Sequence, residues 1–233
     1  MAPNRFYKEV SVGDAGGLHR ILLDGKPVKT PSRAILALPF SALAHAIAEE
    51  WRAQEATIKP QSMLLTKLAN TAIDRVASNP ASVREQLLGF AKSDVVCYRA
   101  ESPADLLQRQ VYTWDPLLAW ARQRFGVSLR TASGFSFIEQ DEASIRAFAD
   151  AVEGHDAFVL AGLFSAAALL GSLVISLALF ERTLSPEDAY AAASVDKIYQ
   201  AERWGWDPLE IAKADAERAE LNQISRFLDL LRK

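Results

Sequence analysis

The sequence predicts an α+β protein: a small N-terminal antiparallel β-rich domain, residues 1–60, followed by a mainly α-helical domain, residues 61–233. Three observations carry this. Short apolar runs cut by turn residues fill Arg5 to Leu38; the apolar spacing becomes helical at Ser41; and beyond it a capping residue followed directly by proline recurs along the chain. With 233 residues, 50% of them hydrophobic, the chain can fill a sizeable core, which excludes general disorder.

In chain order, Tyr7 to Val12 and His19 to Leu23 are apolar runs separated by Gly-Asp-Ala-Gly-Gly, and Asp24-Gly25 follows. Asp-Gly between apolar runs signals a hairpin, because its two-residue turn needs positive φ at both central positions. From Ser41 onward, Leu43, Ile47, Glu50 and Trp51 recur at helical spacing as far as Gln54. Helix starts are predicted at Asn79-Pro80, Ser102-Pro103, Asp115-Pro116, Ser185-Pro186 and Asp207-Pro208. Proline loses nothing at the first helical position, where the amide has no partner, and the preceding side-chain oxygen caps the open amides. Asp188 and Glu210 stand three residues after their caps, the spacing of a capping box. Gly126 and Gly205 read as stops. Val127 to Ile138, β-branched and aromatic around Ser133-Gly134, reads as a short hairpin or an extended loop.

Ala157 to Phe180 contains no charged residue and, as one helix, is long enough to cross a bilayer. Against a span stand the absence of a Trp or Tyr belt, the flanking acids Asp156 and Glu181, and only a slight Lys/Arg bias on either side. Its many Ala, Gly and Ser residues suit close packing of a buried central helix. The residues alone leave both readings open.

The balance of 26 Lys plus Arg against 29 Asp plus Glu, with no basic run, argues against nucleic acid as a partner. A single cysteine, Cys97, cannot form an internal disulfide, and with 3 His it leaves no soft-ligand set for structural zinc. The start, MAPNRFYKEV, lacks the apolar core of a secretory signal, so a cytoplasmic chain is expected. No phosphate-cradling glycine loop occurs, and Gly134 to Ile138 lacks the second glycine of a nucleophile elbow. Ser194 to Lys197 matches an SxxK pattern whose companion motifs are missing. His45 and Glu49 stand four apart without a third ligand and read as a helix-surface pair. Nothing in this search assembles an active site, a metal centre or a nucleotide site, and no cofactor is expected.

Three aromatic and polar clusters remain: EEWRAQ at Glu49 to Gln54, QVYTWDPLLAW at Gln110 to Trp120, and YQAERWGWD at Tyr199 to Asp207. One reading has the tryptophans filling the core while neighbouring polar groups cap helices or bond the indole nitrogen. The other makes them a recognition surface, since Trp, Tyr and Arg anchor protein interfaces.

The segments RFYKEV, LLDGKPVKTP, EEWRAQ, NTAIDRV, SDVVCYRA, QVYTWDPLLAW, LLGSLVISLAL and VDKIYQAERWGWD follow one another from Arg5 to Asp207. In that order the chain resembles the assembly chaperones of the F-type ATP synthase head, specifically the factor that holds the free α subunit before it joins β. The resemblance implies a non-enzymatic protein in a bacterial cytoplasm, with an N-terminal α+β domain and an orthogonal helical bundle. It makes the apolar run a buried helix of that bundle, and it implies the ATP synthase α subunit as partner, with no nucleotide, nucleic acid or membrane insertion. Asp196, Lys197, Gln200 and Trp204 of the third cluster are the favoured contacts, because they straddle a predicted helix end at Gly205. Trp51 and Gln54 of the first cluster and Trp114 of the second join them. One departure stands out: an acidic residue is expected after Asp196, and this chain has Lys197.

Overall fold

A computed structural model of the chain describes residues 3–134 and 136–232; Met1 and Ala2 of the N-terminal stretch, and Phe135 of the stretch from Val127 to Ile138, lie outside the described residues. The fold is α+β, with a small antiparallel sheet at the N-terminus followed by a helical domain. Contacts divide the chain into two compact units, one formed by Met1–Pro80, Asp156–Gly162 and Gln223–Lys233, the other by Ala81–His155 and Leu163–Asn222. The expected division at residue 60 is contiguous in sequence, whereas these units are not.

In the first unit, strands β1 (Val10–Ala15), β2 (Leu18–Leu23) and β3 (Lys26–Pro27) lie side by side in that order, and β4 (Ala37–Leu38) also pairs with β2. Both hairpin turns use two residues of positive φ, Gly16 and Gly17 in the first, Asp24 and Gly25 in the second. Asp24 also accepts the backbone N–H of Lys8 at 3.0 Å and of Glu9 at 2.8 Å. Helix α1 (Ser41–Arg52) lies on β1 and β2 and buries Leu43 and Ile47, and Ile21, Leu36 and Leu38 are fully buried in the same unit. Helix α2 (Leu64–Thr71) packs on α1, then widens into a π-turn over Ala72–Val76. Glu50 of α1 caps α2, accepting the N–H groups of Leu65 and Thr66, each at 2.8 Å, and the Thr66 hydroxyl at 2.7 Å. Burial pushes its pKa above the ordinary glutamate value despite those donors. Gly162 is needed for space, since a Cβ there would lie 2.5 Å from the Leu228 side chain.

Helices α3 (Pro80–Lys92), α8 (Pro186–Ala193) and α10 (Pro208–Leu230) begin at the expected prolines. Ser185 caps α8 by accepting the Asp188 N–H at 3.1 Å. Two other expected starts differ. Helix α4 (Ala104–Phe125) begins one residue after Pro103, and Asp115-Pro116 lies in its middle. Asp115 does not cap there; its carboxylate accepts from Arg99 at 2.8 Å. The helix continues because Pro116 removes a single N–H while Leu106, Gln110, Trp114, Leu117 and Ala121 form one buried stripe through it. Gly126 ends α4 in the left-handed conformation. Beyond it the chain is extended, and β6 (Ala132–Ser133) pairs in parallel with β5 (Tyr98–Arg99), so among the described residues this stretch is an extended segment and not a hairpin. Helix α5 (Glu142–Glu153) follows.

The apolar run is two helices, where one was expected: α6 (Ala157–Leu170) and α7 (Leu173–Phe180). Gly171 takes φ +65°, which stops α6, and Ser172 caps α7 by accepting the Ile175 N–H at 2.9 Å. Asp94 completes the junction. Fully enclosed, it accepts the N–H of Val174 at 3.0 Å and, at the start of the 3₁₀ turn Val95–Cys97, that of Val96 at 3.2 Å. Burial without a facing cation raises its pKa to about 6, against the pull of hydrogen bonds from Ser172, Val174, Val96 and Leu173. Residues Leu173 to Leu179 are all buried. Among the described residues, no helix is long and apolar enough to cross a membrane.

Candidate functional site

Helix α9 (Val195–Trp204) carries four of the seven expected contact residues and ends at Gly205, whose N–H bonds the Ala201 carbonyl at 2.9 Å. Its buried side holds Val195, Tyr199 and Ala201. At about 100° per residue, Trp204 lies half a turn from Val195 and about 140° from Tyr199, so the ring points away from the core. It is 77% exposed. At the start of α10, Leu209 is 81% exposed, and Ile211 is exposed as well. Three large apolar side chains thus stand open around one helix corner. Exposed apolar side chains are the kind of surface that protein partners cover.

On the same helix, Asp196 and Gln200 border a cleft of about 660 Å³, whose other walls include Tyr98, Arg99, Gln110 and Gly134. Gln110 organises this cleft. Buried within the second unit, it accepts the Ala100 N–H at 2.7 Å and donates to Asp196 at 2.7 Å. Arg99 lies 4.9 Å above the Trp114 ring and bonds Asp115, which fixes the far wall. Below the cleft, Tyr199 donates to Asp105 at 2.8 Å, and Arg203 pairs with the same carboxylate. The hydrogen bond from Tyr199, with the Arg203 charge, draws the Asp105 pKa below the ordinary value. Arg109 and Arg203 both lie against the Tyr199 ring, at 5.3 and 4.7 Å. These bonds hold one face of α9 rigid and leave Gln200 and Trp204 uncommitted.

Lys197 turns the other way. It pairs with Glu217 of α10 at 3.3 Å, and Tyr190 donates to the same carboxylate at 3.0 Å. Burial opposes its charge, but the bonds to Glu217 and Tyr190 outweigh this and hold its pKa above the ordinary lysine value. The second cluster divides: Trp114 is 1% exposed and donates its indole N–H to the Ala192 carbonyl at 2.7 Å, whereas Tyr112 is 85% exposed. In the first cluster Gln54 is internal, accepting the Lys59 N–H at 2.7 Å and donating to the Glu50 carbonyl at 2.9 Å. Trp51 is half-buried against Tyr7, whose hydroxyl donates to the Trp51 carbonyl at 2.7 Å. Of the seven expected contacts, Trp114 and Gln54 are therefore set inside their own units, because each has its polar atoms satisfied there. The sequence placed Gln110 in the second cluster without marking it as a contact, and Arg99, Leu209 and Ile211 were not marked either. Leu209 is open because it lies five residues, about 140°, from Ala214, whose burial is set by the tertiary fold.

The remaining candidate chemistry is otherwise engaged. His45 bonds the Ser41 carbonyl of its own helix at 2.9 Å, and Glu49 pairs with Arg52. Burial, reinforced by the Asp94 charge, pushes the Cys97 thiol up to about 12. Among the described residues no group of three or more His, Cys, Asp or Glu side chains could hold a metal ion.

A helical scaffold that keeps aromatic and amide side chains open at a helix end is the architecture of a protein-binding module. The family model described as ATP12 chaperone protein matches residues 4–122. The protein atp12, mitochondrial, of Schizosaccharomyces pombe is 27% identical over 214 residues, 86% of this chain and 73% of that one. Solved structures agree: Atp12 of Paracoccus denitrificans is 36% identical with a TM-score of 0.93 over 99% of both chains. Atu1473 of Agrobacterium tumefaciens is 38% identical with a TM-score of 0.94, over 99% of this chain and 87% of that one. The chain belongs to the ATP12 chaperone family, which acts in ATP synthase assembly.

Proposed function

We propose that the chain binds the free α subunit of the F-type ATP synthase head and keeps it from aggregating until β displaces it, with no catalysis and no nucleotide. The observation that carries this is the open corner at Trp204 and Leu209 beside the cleft of Asp196 and Gln200. An α subunit without β exposes the apolar surface that will later be buried between them, and such surfaces self-associate. Trp204 and Leu209 supply apolar area to cover it, and the Gln200 amide can bond its open backbone groups. Release needs no ATP. A chaperone contact weaker than the final α/β interface is displaced by mass action. Because family members act in ATP synthase assembly, this reading also places the chain in the compartment where the synthase head is put together.

The test is light scattering of refolding α subunit with and without the chain. Suppression is expected at near-stoichiometric amounts, with reversal on adding β. If α aggregates equally in both, the reading fails.

A further inference from the structure

The first unit contains a second cleft, also about 660 Å³, between the loop from Lys29 to Ser32, the end of α1 and the outer face of α2 with its π-turn. Its apolar floor is formed by the buried Ile58 and Met63, and the exposed Pro60 and half-buried Trp51 also line it. Four buried polar atoms of residues lining this cleft have no hydrogen-bond partner of good geometry among the described residues: Thr30 Oγ1 and Asp74 Oδ1, whose side chains interact with each other, and, with no such neighbour, the Trp51 indole Nε1, a donor, and Asn70 Oδ1, an acceptor. Buried donors and acceptors are rarely left open, because each costs its full desolvation. A peptide group offers a carbonyl to Trp51 and an N–H to Asn70.

The rim adds a charge preference. Lys29, Lys67 and Arg75 border the cleft and are exposed. They face one acid, Asp74, whose Oδ2 already accepts the Ser32 N–H at 2.9 Å. Asp74 and Arg75 reach this rim from the π-turn, a local widening of the helix that recurs at functional positions.

We infer that this cleft is a second client-binding site, which takes an extended, acidic peptide segment: an apolar side chain on the Met63 floor, the backbone between Trp51 and Asn70, and a carboxylate at Lys67 and Arg75. As a site for the same client it rests on the chaperone reading, but its peptide chemistry can be tested separately. The probe is acetyl-Ala-Leu-Glu-Glu-amide, with acetyl-Ala-Leu-Lys-Lys-amide as its opposite, titrated into the ¹⁵N-labelled full chain. The indole N–H resonance of Trp51, assigned with Trp51→Phe, should shift saturably with the acidic peptide and at least tenfold more weakly with the basic one. Lys67→Glu combined with Arg75→Glu, both exposed, should abolish the shift at an unchanged melting temperature. No shift, or an equal shift with both peptides, overturns the inference even if α subunit is still retained. A shift from the acidic peptide alone, with no retention of α by the wild-type chain, sustains the cleft and overturns the identity of the client.

Discussion

Trp114 and Trp204 come from clusters that look alike in sequence, each an aromatic residue among polar neighbours near a proline or glycine, and they meet opposite fates. Trp114 is 1% exposed in the middle of α4, with its indole nitrogen bonded to Ala192; Trp204 is 77% exposed at the last residue of α9. Register makes the difference. Trp114 falls four residues after Gln110 and three before Leu117, on the buried stripe, whereas Trp204 lies opposite Val195 and most of a half-turn from Tyr199. Composition marks where aromatic side chains gather, but only their phase against the core decides which of them can be presented to a partner.

The largest effect should come from the internal member. Trp114→Ala removes a filled volume and leaves the Ala192 carbonyl unpaired, at a cost of about 3–5 kcal/mol. Thermal or urea unfolding measures this; a loss under about 1 kcal/mol would erase the contrast between the two rings.

Asp94 extends the comparison from a buried ring to a buried carboxylate. Its folded pKa of about 6 lies above the ordinary 3.8, so the folded chain holds this proton more tightly than the unfolded one. The stability linked to it is full below about pH 4 and is lost as the pH rises through about 6. Glu50, also raised by burial, acts with the same sign, so the informative quantity is the difference between wild type and Asp94→Asn. At pH 7 the variant should lose about 1–3 kcal/mol, since an amide offers fewer acceptor sites to the donors around it. The decline between pH 4 and 6 should be shallower than in the wild type. An equally steep decline would show that another group sets it.

Asp196 stands between the extremes. It is exposed on α9, yet its carboxylate accepts from the Nε2 of buried Gln110. Asp196→Ala should therefore lower stability by about 1 kcal/mol as well as weakening client suppression, while Gln200→Ala, exposed and uncommitted, should weaken suppression alone. Equal melting temperatures for the two variants would show that the Gln110 bond contributes nothing.

The hairpin at Asp24-Gly25, three of the five proline-marked helix starts and both glycine stops were legible because each depends on a local conformational need. What failed depended on distant partners. Asp115-Pro116 has the form of a helix start, but the buried stripe on either side of it carries α4 through. The break at Gly171-Ser172 was hidden inside a uniformly apolar run, and its capping group Asp94 comes from about 80 residues earlier in the chain. The site was partly legible for the same reason. The third cluster could be placed at a helix end from Gly205, but Gln110 and Arg99 enter the cleft through tertiary contacts that no local pattern encodes.

The smallest effect on stability belongs to Trp204, and it discriminates most. Had the ring packed its own helix against the next, truncation would cost a sizeable part of an aromatic side chain's burial. At 77% exposure little of that burial exists, so Trp204→Ala should change unfolding free energy by no more than about 0.5 kcal/mol. The same substitution removes the largest open apolar group at the α9 corner, and an interface anchor of this type is worth about 2 kcal/mol or more to a partner. Suppression of α-subunit aggregation should then require roughly thirtyfold more chaperone, about 2 kcal/mol at tenfold per 1.4 kcal/mol. A melting temperature that falls together with suppression would return Trp204 to the core and move the contact elsewhere on the chain. Unchanged stability with unchanged suppression would leave the ring exposed and remove it from the client interface.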